Sequence, residues 1–229
     1  MPKFQQWAAQ EIISASVEHG FVVQKVLVQG RENTDADVLR ALLNVKKGDP
    51  ILAFNPQETK DLIERISWVR EAHVERRFPD TIFVNLTERQ PLALWQNKGK
   101  IRLIDKDGVT LTDRGYEKFG NLILLVGADA PQKAHELVSM LAAEPNLKAR
   151  VTAASRIGGR RWDLTFNNGV TVKLPESDMG LALRRIAAAQ EADKLLDRDI
   201  TSVDVREADR MTVLTRPGSV QEYKAGFTL

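Results

Sequence analysis

Apolar and polar residues first alternate in FVVQKVLVQG, residues 21–30, where every second position from Val22 to Val28 shares one face. This period of two, rich in β-branched residues, predicts a strand that Gly30 ends. The spacing then becomes helical over residues 33–45, and Thr34 is the predicted N-cap. The predicted apolar face of that helix is formed by Val38, Leu39, Leu42 and Leu43.

A second helix has a clear start signal, with Asn55 as the cap and Pro56 at the first helical position. Two alternating stretches follow, separated by a turn at Pro79–Asp80, and they predict a β-hairpin. The packed face of this hairpin is predicted to hold Ala72, Val74, Arg76, Phe78, Ile82, Val84 and Leu86. Residues 22–90 are therefore predicted to form a β-α-α-β-β domain, and residues 1–21 a mildly amphipathic lead-in.

The pattern changes at Pro91, where short alternating stretches are divided by turns at 97–99 and 107–108. Helical spacing returns near Pro131 and after Asp178, and three short strands lie between these two helices. Two more strands, ITSVDVR and RMTVLT, come last. The fold class is therefore α/β of the α+β type, with a larger, mostly antiparallel β domain and flanking helices over residues 91–217. Residues 218–229 form a C-terminal tail.

The last predicted strand, MTVLT, has no later strand to pair with, which predicts a sheet edge. Arg210 precedes it and Arg216 follows it, but no charged residue lies within it. Such an edge offers backbone N–H and C=O groups to an extended peptide of another protein. The alternative is that residues 218–229 fold back and cover the edge, and the sequence leaves both possibilities open.

Charge narrows the possible functions. The chain has 33 basic and 31 acidic side chains, a net charge of +2, and opposite charges are interleaved along it. A dedicated nucleic-acid binder would have a larger and clustered basic excess, so nucleic acid is the weakest candidate partner.

Cysteine is absent, which excludes a disulfide framework. No apolar run reaches the roughly 18 residues of a membrane-spanning helix.

Candidate catalytic chemistry is sparse. His19, His73 and His135 are far apart in sequence, and no metalloprotease, nucleophile-elbow, P-loop or dinucleotide motif occurs. The stretch from Asp105 to Gly108 resembles the start of a calcium loop, but it lacks the later ligands, and a hairpin turn explains it. Arg184 and Arg185 are interpreted as a solvated helix face. The sequence therefore predicts no catalytic, cofactor or metal site and no enzyme.

Several motifs together resemble one family. WVREAHVERRFPDT and LTERQPLALW lie in the first half of the chain, and RRWDLTFNNGV and ITSVDVR lie in the second. With these motifs, nearly the whole chain resembles the FtsQ/DivIB family of bacterial cell-division proteins. The first domain is then similar to a POTRA domain, and the second to the β domain of that family.

The resemblance implies a non-enzymatic scaffold of the divisome that binds FtsB and FtsL and regulates septal peptidoglycan synthesis. It also implies recruitment through the POTRA domain, with FtsK and other divisome proteins as possible partners. The family is anchored in the inner membrane by a single type II helix and faces the periplasm at the division septum. The short cytoplasmic tail and the membrane helix of the family would precede the present sequence.

The resemblance also assigns site residues. FtsB and FtsL would bind the last strand and its surroundings, at Ser202, Val205, Arg206, Glu207, Arg210, Met211, Thr212, Val213, Leu214 and Thr215, together with Arg156 and Arg160. The recruitment face of the POTRA domain would be Glu71, Val74 and Arg76. Arg206 would add a charge-assisted bond to a partner carboxylate.

Two other classes of protein remain as alternatives. A POTRA module for transport or outer-membrane assembly would predict several tandem units and a downstream barrel. A periplasmic cell-wall enzyme would predict a concave pocket with close acids or a nucleophile.

Overall fold

In the computed structural model, which describes residues 3–218, the chain divides between Gln90 and Pro91 into two units, each with its own core. The first unit begins with a helix and continues with three strands and two helices. These elements are α1 (Lys3–Glu18), β1 (Lys25–Gln29), α2 (Ala36–Leu43), α3 (Pro56–Ile63), β2 (Val69–Arg77) and β3 (Thr81–Glu88). The predicted β-α-α-β-β order is confirmed.

The sheet of the first unit has the order β1-β3-β2, with β1 parallel and β2 antiparallel to β3. Strand β1 is shorter than predicted, because alternation over residues 21–30 does not lead to ladder pairing before Lys25. Val26 and Val28 lie at the sheet edge and stay 38% and 37% exposed, whereas Val23, before the strand, is buried.

The predicted cap of α2 is one residue off. Asp35 is the N-cap, and its Oδ1 accepts the N–H groups of Asp37 and Val38 at 2.8 and 3.2 Å. Thr34 is buried, and its backbone N–H instead donates to the Glu88 carboxylate. The predicted start of α3 is confirmed, since Asn55 Oδ1 accepts the N–H groups of the first helical turn.

The hairpin of β2 and β3 presents its apolar side chains to the helices. Ala72, Val74, Ile82, Val84 and Leu86 are all buried in the core of the first unit. Phe78 was predicted on this packed face, but it lies in the turn beyond β2 and is 56% exposed. Its ring packs edge-on against Phe21 at 5.9 Å between centroids.

The second unit is built on a nine-stranded sheet with the order β12-β11-β10-β9-β8-β7-β4-β5-β6. Most neighbouring pairs are antiparallel, and β4–β7, β7–β8 and β10–β11 are parallel. The strands are β4 (Pro91–Asn97), β5 (Lys100–Asp105), β6 (Thr110–Thr112), β7 (Leu124–Val126), β8 (Val151–Ile157), β9 (Arg161–Phe166), β10 (Thr171–Lys173), β11 (Ile200–Asp204) and β12 (Thr212–Thr215). The helices are α4 (Ala130–Ala142), α5 (Pro145–Lys148) and α6 (Met179–Asp193).

The core of this unit joins one face of the sheet to α4 and α6. Trp162, Leu164 and Phe166 alternate along β9 and are each at most 1% exposed. The residues between them remain half-exposed on the other face, as the strand period requires. The loop from Asp105 to Gly108 is a turn, in which Asp105 Oδ1 accepts the N–H groups of Asp107 and Val109.

Candidate partner-binding edge

Strand β12 forms one edge of the nine-stranded sheet and pairs only with β11 among residues 3–218. All four of its residues are exposed, and Val213 and Leu214 are 37% and 62% exposed. Neither proline nor a charged residue interrupts the strand, although both usually protect natural sheet edges. The predicted edge is therefore present in this part of the chain. The alternative cover, residues 218–229, lies almost entirely outside the described residues.

The edge offers one large aliphatic side chain to each face of the sheet. Val213 lies opposite the buried Val203, on the face that packs against the helices. Leu214 lies opposite Ser202, on the polar face. A strand added beside β12 would therefore contact apolar surface on both faces.

Arg185 on α6 holds the connection between β11 and β12. Its Nη1 donates to the carbonyl oxygen of Glu207 at 3.1 Å, and its Nη2 donates to that of Arg210 at 3.0 Å. Arg185 is thus partly exposed on the predicted solvated face and also bonds to the chain that leads into β12. Its acceptors are backbone groups 22 and 25 residues away in the chain, and helix periodicity does not predict such contacts.

Arg206 forms a salt bridge with Asp204 at the end of β11. Its Nε donates to both carboxylate oxygens at 2.9 and 3.0 Å, and Nη2 donates to Oδ2 at 2.6 Å. This bond holds the pKa of the Asp204 carboxyl below its ordinary value. The carboxylate that Arg206 binds here is therefore its own neighbour, and the guanidinium is fixed in one orientation while staying 46% exposed.

Further charges flank the edge strand. Arg210 lies 3.9 Å from Glu207 before β12, and Arg216 lies 3.2 Å from Asp199 after it. Both ion pairs are well exposed to solvent, so each is worth little to stability. Cations thus stand at both ends of an uncharged edge.

Three residues assigned to the partner surface have other surroundings. Val205 is 1% exposed and belongs to the core, and Met211 is partly buried against it. The Arg156 side chain is 7% exposed, forms an ion pair with Asp129 at 3.1 Å and lies over the Trp162 ring. These contacts are structural, which corrects the assignment of Val205 and Arg156 to a surface.

Arg160 is the exposed member of the predicted arginine pair. Its side chain is 70% exposed and lies 3.3 Å from Glu176. It precedes β9, at the end of the sheet where β12 begins, because Asp163, Lys173, Asp204 and Thr212 are successive cross-strand partners. With strands about 4.8 Å apart, β9 and β12 are separated by roughly 14 Å. Arg160 is thus near one end of the edge but not on it.

The predicted recruitment residues of the first unit do not share one face. Glu71 is exposed on β2, whereas Val74 is buried in the core. Arg76 lies on the same face of β2 as Val74, and its Nε is buried without a hydrogen-bond partner in the described structure. Alternation along the strand accounts for this separation, since odd and even positions of β2 point to opposite faces.

Within residues 3–218, no group of three or more histidine, cysteine or acidic side chains is arranged to hold a metal ion. The same part of the chain contains no helix with the length and hydrophobicity needed to cross a bilayer.

Comparison with known proteins agrees with this architecture. Residues 21–89 match the family model of the POTRA domain, FtsQ-type, and residues 93–206 match that of cell division protein FtsQ/DivIB, C-terminal. The cell division protein FtsQ of Rickettsia bellii (strain RML369-C) is 35% identical over 199 residues, covering 87% of this chain and 74% of that protein. FtsQ of Rhizobium meliloti (strain 1021) is 37% identical over 203 residues, covering 88% and 65%.

Among solved structures, the major extracytoplasmic domain of the trans isomer of DivIB from Geobacillus stearothermophilus aligns with a TM-score of 0.36 and 17% identity. The alignment covers 47% of this chain and 97% of that one.

The β-α-α-β-β unit and the larger sheet unit together define a POTRA-containing protein of bacterial cell division. The chain belongs to the FtsQ/DivIB family, and its role lies in the divisome.

Proposed function

We propose that this chain binds FtsB and FtsL by accepting a partner strand along β12, and that it thereby contributes to the control of septal peptidoglycan synthesis. The observation that carries the proposal is an uncharged, exposed strand that, among residues 3–218, pairs on one side only. The family supplies the partners, since the FtsQ resemblance implies FtsB and FtsL. Backbone pairing at an open edge provides affinity with little demand on the partner's sequence.

Side chains would add to this backbone pairing. A partner strand beside β12 would cover Val213 on one face and Leu214 on the other, each worth about 1 kcal/mol when its remaining exposed surface is buried. Arg206 and Arg210 already pair with Asp204 and Glu207, so a partner carboxylate near the start of β12 would share these guanidinium groups with them.

The two units have separate tasks in this proposal. Residues 91–217 carry the partner edge, and residues 22–90 form a POTRA domain that takes part in recruitment, including by FtsK. Glu71 supports the recruitment surface because it is exposed. Anchoring at the periplasmic face of the inner membrane, at the septum, follows from the resemblance and is part of the same proposal.

The test is the affinity of this chain for a purified periplasmic FtsB–FtsL complex. Val213→Pro removes one backbone donor from β12, and we expect affinity to fall by at least about tenfold, or 1.4 kcal/mol. Arg206→Ala is expected to weaken binding less, and its effect should shrink as salt rises. The control is Val109→Lys, a similarly exposed valine preceding β6 at the opposite edge of the sheet. Unchanged affinity in both folded variants would move the search to the first unit.

A further inference from the structure

The first unit has an open edge of its own at β1. This strand pairs with β3 alone in the described structure, and all five of its residues are exposed. Val26, Leu27 and Val28 are consecutive aliphatic residues with exposed fractions of 38%, 47% and 37%. An exposed aliphatic edge is a template for pairing with another chain, and proteins usually protect such edges.

The opposite edge of the same sheet is protected. Strand β2 has five charged side chains among its nine residues, namely Arg70, Glu71, Glu75, Arg76 and Arg77. By contrast, Lys25 is the sole charged residue of β1. Charges along an edge strand discourage pairing, so the two edges differ in their capacity to accept a partner.

A groove of about 300 Å³ lies between β1 and α2. Val26 and Val28 form one wall, and Leu39 and Leu43 form the other. A strand added to β1 would direct every second side chain into this groove, because alternate residues of a strand share a face.

The charged residues that line the groove are both cationic. Arg31 donates from Nη1 to the carbonyl oxygen of Thr34 at 3.0 Å, and Arg40 pairs with Asp37 at 2.6 Å. The Arg40 and Asp37 side chains are 76% and 86% exposed, so solvent weakens their attraction and Arg40 remains able to bind a second carboxylate. The groove therefore favours an anionic occupant.

We propose that β1 is a second docking edge, which accepts an extended segment of another divisome protein with both apolar side chains and carboxylates on the face turned toward the groove. The apolar side chains enter the groove, and carboxylates at flanking positions of the same face lie near Arg31 and Arg40. A second copy of this chain fits less well, because pairing two β1 strands would place two cationic grooves side by side. This surface lies on the first unit and is independent of the β12 edge.

The test uses the full chain, labelled with ¹⁵N, and two synthetic ten-residue peptides. In both peptides serine occupies every second position, and the other face carries valine at its three central positions. The two flanking positions of that face are glutamate in one peptide and lysine in the other. We expect the glutamate peptide to shift the amide signals of Lys25–Gln29 and α2, and to bind at least about tenfold more tightly than the lysine peptide.

Variants locate the site. Val28→Glu and Arg40→Glu are each expected to lower the affinity for the glutamate peptide by at least about fivefold. The first adds a charge to the apolar wall, and the second removes a cation. Val38→Glu and Arg65→Glu are matched controls, because both are exposed residues of the same unit outside the groove, and neither should change binding.

Three results would overturn the proposal. One is the absence of saturable binding at millimolar glutamate peptide, and another is equal binding of the two peptides. The third is dimerisation of the chain by sedimentation that Val28→Glu abolishes, because β1 would then serve a second copy. Circular dichroism melting of each variant shows that the fold is retained.

Discussion

Val203 and Val213 are cross-strand partners on the same face of the sheet, yet Val203 is fully buried and Val213 is 37% exposed. The row that contains them runs from Leu164 through Val172, and both of these residues are also fully buried. The apolar row of the core thus continues to the last strand, where Val213 is left partly exposed in the described structure. A partner strand beside β12 would extend the same row by one position.

Arg185 should control the order of the edge strand. Arg185→Ala removes the donors to Glu207 and Arg210, and we expect about 1 kcal/mol of local destabilisation in residues 207–215. Amide hydrogen exchange there should accelerate, and affinity for the FtsB–FtsL complex should fall severalfold. Arg184→Ala is the control, since Arg184 is the exposed neighbour on the same helix. Equal exchange in the two variants would contradict this role.

Glu88 should stabilise the first unit. This residue is 8% exposed, and its carboxylate accepts the backbone N–H groups of Glu32, Asn33 and Thr34 at 3.0, 2.8 and 2.7 Å. Glu88→Gln replaces charge-assisted bonds with weaker ones and leaves two N–H donors facing its amide NH2 group, because each carboxylate oxygen accepts two. We expect a loss of about 2 kcal/mol in the free energy of unfolding at pH 7, measured by urea denaturation.

The same bonds set a pH dependence. Burial acts to raise the pKa of Glu88, but hydrogen bonds from Thr34 and from the backbone N–H groups of Asn33 and Glu32 outweigh it and hold the pKa below its ordinary value. A carboxyl with a depressed pKa in the folded state stabilises above its unfolded pKa of about 4.3, and this contribution is lost as pH falls through the folded value. The stability difference between wild type and Glu88→Gln should therefore narrow below about pH 4. A constant difference down to pH 3 would show that the charge of Glu88 is unimportant.

Arg156 and Arg160 should behave differently when each is replaced by alanine. Arg156→Ala removes the ion pair with Asp129, the bond to the Gly159 carbonyl oxygen and the contact with Trp162. Because its side chain is nearly buried, we expect a loss of about 1–3 kcal/mol in the free energy of unfolding. Arg160→Ala should change stability by less than about 0.5 kcal/mol. If Arg156→Ala weakened FtsB–FtsL binding without loss of stability, Arg156 would return to the partner surface.

Much of the fold could be predicted because local signals and tertiary structure agree. Asn55 followed by Pro56 starts α3, and strict alternation marks β2 and β3. The edge position of β12 could also be predicted, since MTVLT is the last stretch of the sequence with the pattern of a strand. Each of these signals lies within a few residues of the element that it predicts.

The remainder depends on contacts between residues distant in sequence. Thr34 is a residue type that often caps helices. However, its backbone N–H donates to Glu88, 54 residues later, and Asp35 is the cap instead. Arg156 and Arg185 both look like surface residues in sequence, yet their partners lie on other elements. By contrast, the ion pair of Asp204 and Arg206 could have been predicted, because Arg206 follows two residues after the end of β11 and an extended chain places residues two apart on the same side.

Binding of the partner along β12 is tested most directly by amide hydrogen exchange in that strand, measured with and without a saturating FtsB–FtsL complex. Partner pairing along this edge predicts strong protection on binding at the alternate residues of Thr212–Thr215 whose N–H groups face away from β11, because these groups gain strand acceptors. Strand β6, at the opposite edge of the same sheet, should show no change. If binding is saturated and amide exchange in β12 is unchanged, the partner complex binds elsewhere, and the proposed pairing along β12 is wrong.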